Sequence, residues 1–453
     1  MTVAIDRGRL AGLIDRERAA YRASFPRSRD AFAADGTHLL GGVPMTWMRM
    51  WSGGFPLYHA TASGARLTDI DGHEFIDFCL GDTGAMAGHS PAAVQAAISH
   101  RYAELGGATT MLPTQDAAWV AAELARRFTM AYWSFTLTAT DANRWAIRLA
   151  RQLTRRPKIA VFSYCYHGSV DETFIVATPQ GPQSRVGNVG APVDPRETTR
   201  VMEFNDPGAL DRELSHGDVA AVLMEPALTN IGIVLPEPGY LDAVRELTRR
   251  HGTLLINDET HTFSAGPGGC TGAWGLEPDM VTIGKSIAGG IPAGAYGLSA
   301  ELAGRILADR TADIEDTGGV GGTLAGNALS LACMRATLGQ VLTDQAFEAM
   351  IAVATRFTAG VQAVLDSRRL PWTIVQLGAR AEYRFCPEPP RTGGQSQAAA
   401  DTELDEYLHL YMINRGILMT PFHNMALMCP ATTDADADAH TAVFAAAADE
   451  LRG

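Results

Sequence analysis

The sequence predicts an α/β protein built on a mainly parallel sheet with helices on both faces. Three observations carry this. Five short apolar runs each end in a polar or glycine-rich turn, amphipathic helical segments lie between several of them, and 453 residues suffice for a large core in two or three domains. The runs are Trp133–Thr138, Ile159–Ser163, Val219–Met224, Thr253–Asn257 and Met280–Ile283. Ala142–Leu153 and Tyr240–His251 supply helices between them.

In chain order, residues 1–40 read as helical and surface-exposed, followed by Gly41-Gly42-Val43-Pro44. Ala65–Phe78 reads as two short strands around an Asp71-Gly72 turn, and Asp116–Phe128 as an amphipathic helix. Beyond residue 325 come a helical stretch at Ala325–Leu342 and strand-like pieces at Trp372–Val375 and Ala381–Cys386. Pro387–Ala400 is a loop by composition. A helix at Thr402–Asn414, a strand at Gly416–Met419 and a helix to the C-terminus complete the chain, with no internal repeat.

Thirty-seven basic against fifty acidic side chains give a formal net charge of −13, which argues against a general nucleic-acid binder. Hydrophobic residues at 46% and charged ones at 19% are a globular composition. The N-terminal stretch lacks a secretory signature, and no run approaches the roughly 18 apolar residues of a membrane span. Six scattered cysteines, with no CxxC pair and no zinc spacing, point to a reduced, cytoplasmic protein without a metal site. The basic residues include only two lysines, Lys158 and Lys285, so chemistry that needs a primary amine has two candidates.

Ligands of open α/β sheets collect at the carboxyl ends of the strands, which directs attention to the residues after each run. Thr138-Ala139-Thr140-Asp141-Ala142-Asn143 opens a helix, where hydroxyls and free amides suit a phosphate dianion; an ordinary N-cap is the plainer reading. Tyr164-Cys165-Tyr166-His167-Gly168 offers an aromatic platform and a sharp turn, and Glu225-Pro226 an acid at the same edge. Asp258-Glu259-Thr260-His261 ends a buried strand, where a carboxylate either meets a cation or caps a nearby helix. Gly284-Lys285-Ser286 leads into Ala288-Gly289-Gly290-Ile291-Pro292-Ala293-Gly294, a setting that can desolvate an amine and make it nucleophilic. Lys158 precedes its strand and so belongs at the opposite edge. Amine, carboxylate, aromatic ring and phosphate-sized helix terminus together match the needs of pyridoxal phosphate, whereas HExxH, GxSxG and GxxxxGK[ST] are missing.

From Leu67 to the last helix the chain resembles a class III, fold-type I pyridoxal-phosphate-dependent aminotransferase. The branch is that of omega-amine and beta-amino-acid transaminases and glutamate-1-semialdehyde aminomutases. The residues that carry the resemblance are the segment Asp69–Phe78, Gly88-His89-Ser90-Pro91, Tyr166-His167-Gly168, and Glu225-Pro226 with Asn230 and Gly232. Asp258-Glu259, Lys285 27 residues on, and Gly322-Thr323-Leu324-Ala325-Gly326-Asn327 complete them. The resemblance implies a large domain with a mainly parallel seven-stranded sheet over 79–325. It also implies a smaller α+β domain assembled from 1–78 and 326–453.

Carried over by position, the resemblance implies that pyridoxal 5'-phosphate forms an aldimine with Lys285, which also shuttles the proton. Asp258 keeps the ring nitrogen protonated, Tyr166 stacks on one face, and Thr260 lies at the other. Ala139 and Thr140 hold the phosphate, joined by Gly322 and Thr323 of the neighbouring subunit in a homodimer, with His167, Gly168 and Glu225 completing the surroundings. Thr138-Ala139-Thr140 stands where Ser-Gly-Thr is usual, Thr260 where Val is usual, and His261 and Phe263 replace less bulky residues. The implied activity is ping-pong transfer of an amino group from a hydrophobic amine or amino acid to a keto acid or aldehyde. An aminomutase or racemase on the same scaffold is the alternative, and a non-catalytic protein with a structural lysine is a third reading. Trp47, Met48, Arg49, Phe422 and His423 are the candidate substrate residues. Arg49, Arg380 and Arg384 are candidate carboxylate partners, against the plainer reading that each is a surface arginine.

Overall fold

Val219–Met224 reads VAAVLM and is buried at every position, the pattern of a strand covered on both faces. It lies inside a seven-stranded sheet ordered Tyr132–Thr136, Gly294–Leu298, Met280–Gly284, Leu254–Asp258, Val219–Met224, Lys158–Phe162 and Thr199–Met202. Five of these are the expected apolar runs, their ends displaced by no more than two residues. The computed structural model describes residues 5–309 and 322–452.

Neighbouring strands run parallel from Met280–Gly284 to Thr199–Met202. Gly294–Leu298 is antiparallel to both its neighbours and occupies sequence that begins within the expected glycine-rich loop. Its glycines answer to packing. A Cβ on Gly294 would lie 2.4 Å from Thr136 Oγ1, and one on Gly297 2.7 Å from the Trp133 ring. Helices Ala139–Thr154 and Tyr240–His251 bury their apolar faces, Trp145, Leu149, Val244 and Leu247 among them, in the same core as the strands.

The chain divides into two compact units. One holds the seven-stranded sheet and comprises Ala92–Phe347 with Pro390–Ala398; the other comprises Met1–Pro91, Glu348–Pro389 and Ala399–Gly453. The boundaries fall further along the chain than 78/79 and 325/326. Two small sheets organise the second unit: His59–Ser63, Arg66–Asp69, Glu74–Asp77 and Ile417–Leu418, and Thr373–Leu377, Arg380–Arg384 and Met425–Leu427. The Ala65–Phe78 hairpin forms as expected, with Arg66–Asp69 and Glu74–Asp77 antiparallel and Gly72 at φ +97° in the turn.

Three expectations are corrected. The N-terminal helices Arg7–Ser24 and Pro26–Asp35 are not wholly exposed: Leu10, Leu13, Ile14 and Tyr21 are buried, and Tyr21 packs with Phe25, Phe55 and Leu410. The 387–400 segment is not all loop, because Gly393–Ala398 is helical where the backbone closes onto Ser163; a Cβ on Gly393 would lie 2.3 Å from its carbonyl oxygen. Arg380 and Arg384 are buried rather than on the surface. They alternate with Ala381 and Tyr383 on a strand buried throughout, and Arg380 donates to Thr83 Oγ1.

Candidate active site

The carboxyl ends of the parallel strands gather four of the expected groups in one unit. Asp258 is the last residue of Leu254–Asp258, and Lys285 directly follows Met280–Gly284 on the parallel strand beside it. Lys158 starts its strand at the other edge, where it donates to Arg196 O. The two lysines therefore occupy opposite edges of the sheet, as their sequence positions require.

Asp258 is buried and bonded on both oxygens. Oδ2 accepts from Asn143 Nδ2 at 2.8 Å and faces His167 Nδ1 at 2.9 Å, and Oδ1 accepts from Thr260 N at 3.0 Å. Burial alone would raise its pKa; the donors from His167, Thr260 and Asn143 reverse this and hold it below the usual carboxylate range. Burial would likewise lower His167, but Cys165 and Asp258 beside it hold the imidazole well above its usual value. The geometry sets a buried imidazole against a carboxylate that is hydrogen-bonded on both oxygens, while His167 Nε2 has no hydrogen-bond partner among the described residues. Asn143 fixes it further: Nδ2 also donates to His167 O (3.1 Å), and Oδ1 accepts from Thr282 Oγ1 (2.6 Å) on the lysine's own strand.

Beside this network lies a narrow cradle. Thr138 caps the helix Ala139–Thr154 by accepting from Asp141 N at 3.2 Å, so the plainer N-cap reading holds for that hydroxyl. The first-turn N–H groups at Ala139 and Thr140 have no carbonyl within the helix to bond, which leaves an anion-favouring terminus. Two glycines bring the other segments against it. A Cβ on Gly284 would lie 2.8 Å from Ala139 N, and one on Gly168 2.0 Å from Thr140 Oγ1. Thr140 Oγ1 also accepts from Ser169 N at 3.2 Å, tying the Tyr166-His167-Gly168 turn to the helix.

Tyr166 is half-buried, with its ring 6.4 Å from that of Phe174. Glu225 is buried; burial raises its pKa against the opposing pull of His167 and Thr229, and its Oε1 has no hydrogen-bond partner among the described residues. Thr260 Oγ1 is another buried polar atom without one. Lys285 holds φ +53°, a left-handed conformation costly for a residue with a Cβ, and its Nζ is in hydrogen-bond contact with His261 Nε2. Gly322 and Thr323 form an exposed turn with Leu324.

The candidate substrate residues lie in the other unit. Trp47 and Met48 are exposed, as is Arg49, and the Trp47 ring lies 5.9 Å from that of Phe422. His423 is buried against Glu382 (3.2 Å), and its backbone oxygen accepts from His409. Met48 lines a largely apolar cavity of about 640 Å³ with Val43, Trp51, Leu57 and Leu418, at whose edge His89 Nε2 meets Asp77 Oδ2 at 2.7 Å. Sequence reading passed over Asn143 except as part of a helix start. Its role depends on three partners distant in the chain, and nothing local signals it.

A helix terminus for a dianion, a carboxylate able to take a ring N–H, buried polar atoms without partners at His167, Glu225 and Thr260, and an amine beside the cradle fit pyridoxal 5'-phosphate. Residues 48–447 match the class-III aminotransferase family. A glutamate-1-semialdehyde 2,1-aminomutase of Sorangium cellulosum is 35% identical over 414 residues, 87% of this chain and 90% of that protein. A crystal structure of a glutamate-1-semialdehyde-aminomutase from Pseudomonas aeruginosa PAO1 superposes with a TM-score of 0.96 at 48% identity, covering 99% of this chain and 100% of that one. A lysine-to-alanine form from the same organism, in complex with PMP, gives 0.94 and 46% with the same coverage. An omega-transaminase from Sphaerobacter thermophilus gives 0.85 at 28% identity over 94% of this chain and 98% of that one.

Proposed function

The chain belongs to the class-III aminotransferase family, and we propose that within it the protein moves an amino group between neighbouring carbons of a single small molecule, as a 2,1-aminomutase. Its cofactor is pyridoxal 5'-phosphate. Relatives named for that reaction, at up to 48% identity, support the aminomutase reading over intermolecular transfer, which reverses the order of the two expectations. The substrate class is a small amino aldehyde of the glutamate-1-semialdehyde kind.

The observation that carries the chemistry is the pairing of Lys285 and Asp258 at the carboxyl ends of adjacent strands. When bound, the cofactor supplies a protonated ring that takes up the charge left as a proton leaves the carbon bearing nitrogen. Lys285 Nζ is the covalent anchor and the base that takes that proton and returns it at another carbon. The Asp258 carboxylate would accept the ring N–H, while His167 and Asn143 keep it ionised and aimed. Ala139 and Thr140 would hold the phosphate at the helix terminus, Tyr166 would cover one ring face and Thr260 the other, and Gly168 and Glu225 would close the edge. Gly322 and Thr323 serve the phosphate of a second subunit in a homodimer, in keeping with their exposure. The protein works in the cytoplasm, in keeping with six free cysteines, five of them buried. Among the described residues no helix is long and apolar enough to cross a membrane.

A transaminase acting on a hydrophobic amine is the second reading. The apolar character of the candidate substrate residues Trp47, Met48 and Phe422 supports it. Holoenzyme given ¹⁵N-labelled glutamate-1-semialdehyde alone should yield an isomer that retains the label. Turnover only when a separate amine and keto acid are both supplied would reverse the two readings. In Lys285→Ala, borohydride should leave no cofactor fixed to the chain; an adduct that persisted there would remove Lys285 as anchor.

A further inference from the structure

His261 touches the anchor lysine yet has no part in the roles above. The turn that carries it is pinned at several points. Thr262 Oγ1 donates to Glu259 Oε2 (2.5 Å), Phe263 N to Glu259 O (2.8 Å) and Ser264 N to His261 O (3.3 Å). Glu259 is itself buried and accepts from Cys270 N (3.0 Å) and Thr271 N (2.6 Å), so the turn is fastened to the structure beneath it. Space beside that carboxylate is so limited that a Cβ on Gly269 would lie 2.2 Å from its Oε2.

With its backbone held, the imidazole is delivered to Lys285 with only 8% of His261 exposed. The Lys285 backbone is constrained as well, by its left-handed conformation and by the close approach of Gly284 to Ala139. Nε2 and Nζ are in hydrogen-bond contact. A hydrogen bond between two nitrogens shares one proton, so one of the two must supply a lone pair. Two full positive charges in contact would repel.

We propose that His261 is the proton station of Lys285. Its Nε2 accepts the proton that Nζ sheds before the amine lone pair attacks a carbonyl carbon. The Nζ–H bond breaks, the Nε2–H bond forms, and the positive charge passes from lysine to imidazole. The role rests on Lys285 being the anchor proposed above.

The two-lysine composition makes a direct test available, because acetic anhydride acylates neutral amines and Lys158 is an internal reference. Full-length protein freed of cofactor is labelled at neutral pH, and the Lys285:Lys158 ratio is read by peptide mass mapping. In His261→Leu that ratio should fall roughly tenfold. His261→Gln keeps a hydrogen-bonding group but cannot take a proton, and its ratio should fall as well. An unchanged ratio in the leucine variant, or a wild-type ratio in the glutamine variant, overturns the proposal. If the leucine variant does not fold, the glutamine variant decides alone. Failure here with cofactor still trapped at Lys285 removes only His261, whereas trapping that survives Lys285→Ala removes the anchor itself.

Discussion

Two buried histidines, one in each unit, show how differently the same side chain can be used. His167 is set against Asp258, which helps to hold its pKa well above the usual value. His440 sits among rings instead, 4.3 Å from Phe357, 5.8 Å from Phe78 and stacked on Phe444 at 5.9 Å. Neither of its nitrogens has a hydrogen-bond partner among the described residues, and burial lowers its pKa to about 3. Depth of burial is nearly equal, at 1% and 0% exposed, so partners alone decide the protonation state. A buried charge with its donors arranged marks chemistry; a buried imidazole among phenylalanines marks packing.

The comparison breaks most sharply at Asp258. Asp258→Asn removes the charge that holds both His167 and a ring N–H. It should lower kcat by about 10²- to 10³-fold in steady-state assays with saturating cofactor. An activity within twofold of wild type would sink the role given to this carboxylate.

His167→Leu comes next, because it leaves Asp258 buried without its imidazole partner. Urea denaturation should show a loss of about 3 kcal/mol. The two histidines also respond to pH with opposite sign. The folded pKa of His167 lies above its unfolded value of about 6.5, so its contribution is whole below that pH and is lost as pH rises through the folded value. The leucine variant should therefore lose the part of the stability profile that declines toward alkaline pH.

The smallest effect is expected at His440. Its folded pKa lies below the unfolded one, so stability declines as pH falls from about 6.5 toward about 3, at ~1.4 kcal/mol per pH unit. His440→Phe should leave the unfolding midpoint near wild type at pH 7.5 or raise it slightly, and stabilise by roughly 2 kcal/mol at pH 5. Identical pH profiles for variant and wild type would show that this histidine does not titrate on unfolding.

The same contrast explains what the sequence made legible. Runs such as Val219–Met224 announce themselves because a doubly covered strand needs no polar alternation. Gly294–Leu298 did not, since it starts at the end of a glycine-rich stretch, and its glycines are there for Thr136 and Trp133 on the neighbouring strand. Thr199–Met202 is short and carries Arg200, which pairs with Asp218. At the site, Asp258 and Lys285 were legible because each ends an apolar run. Asn143 and the pinned turn of His261 depend on partners far apart in the chain. Arg380 and Arg384 misled for a related reason: arginine is usually exposed, and only the pairing of their strand with Thr373–Leu377 and Met425–Leu427 encloses them.

The antiparallel strand Gly294–Leu298 also governs how the region around Lys285 can evolve. A parallel neighbour would be reached through a long crossover that tolerates insertions. Here Gly284 pairs directly with Gly294, and residues 285–293 form a loop anchored at both ends by the sheet. Its length is set by that pairing. Variation in this region should therefore proceed by exchange of side chains, as at His261 opposite the loop, while added or deleted residues accumulate elsewhere in the chain.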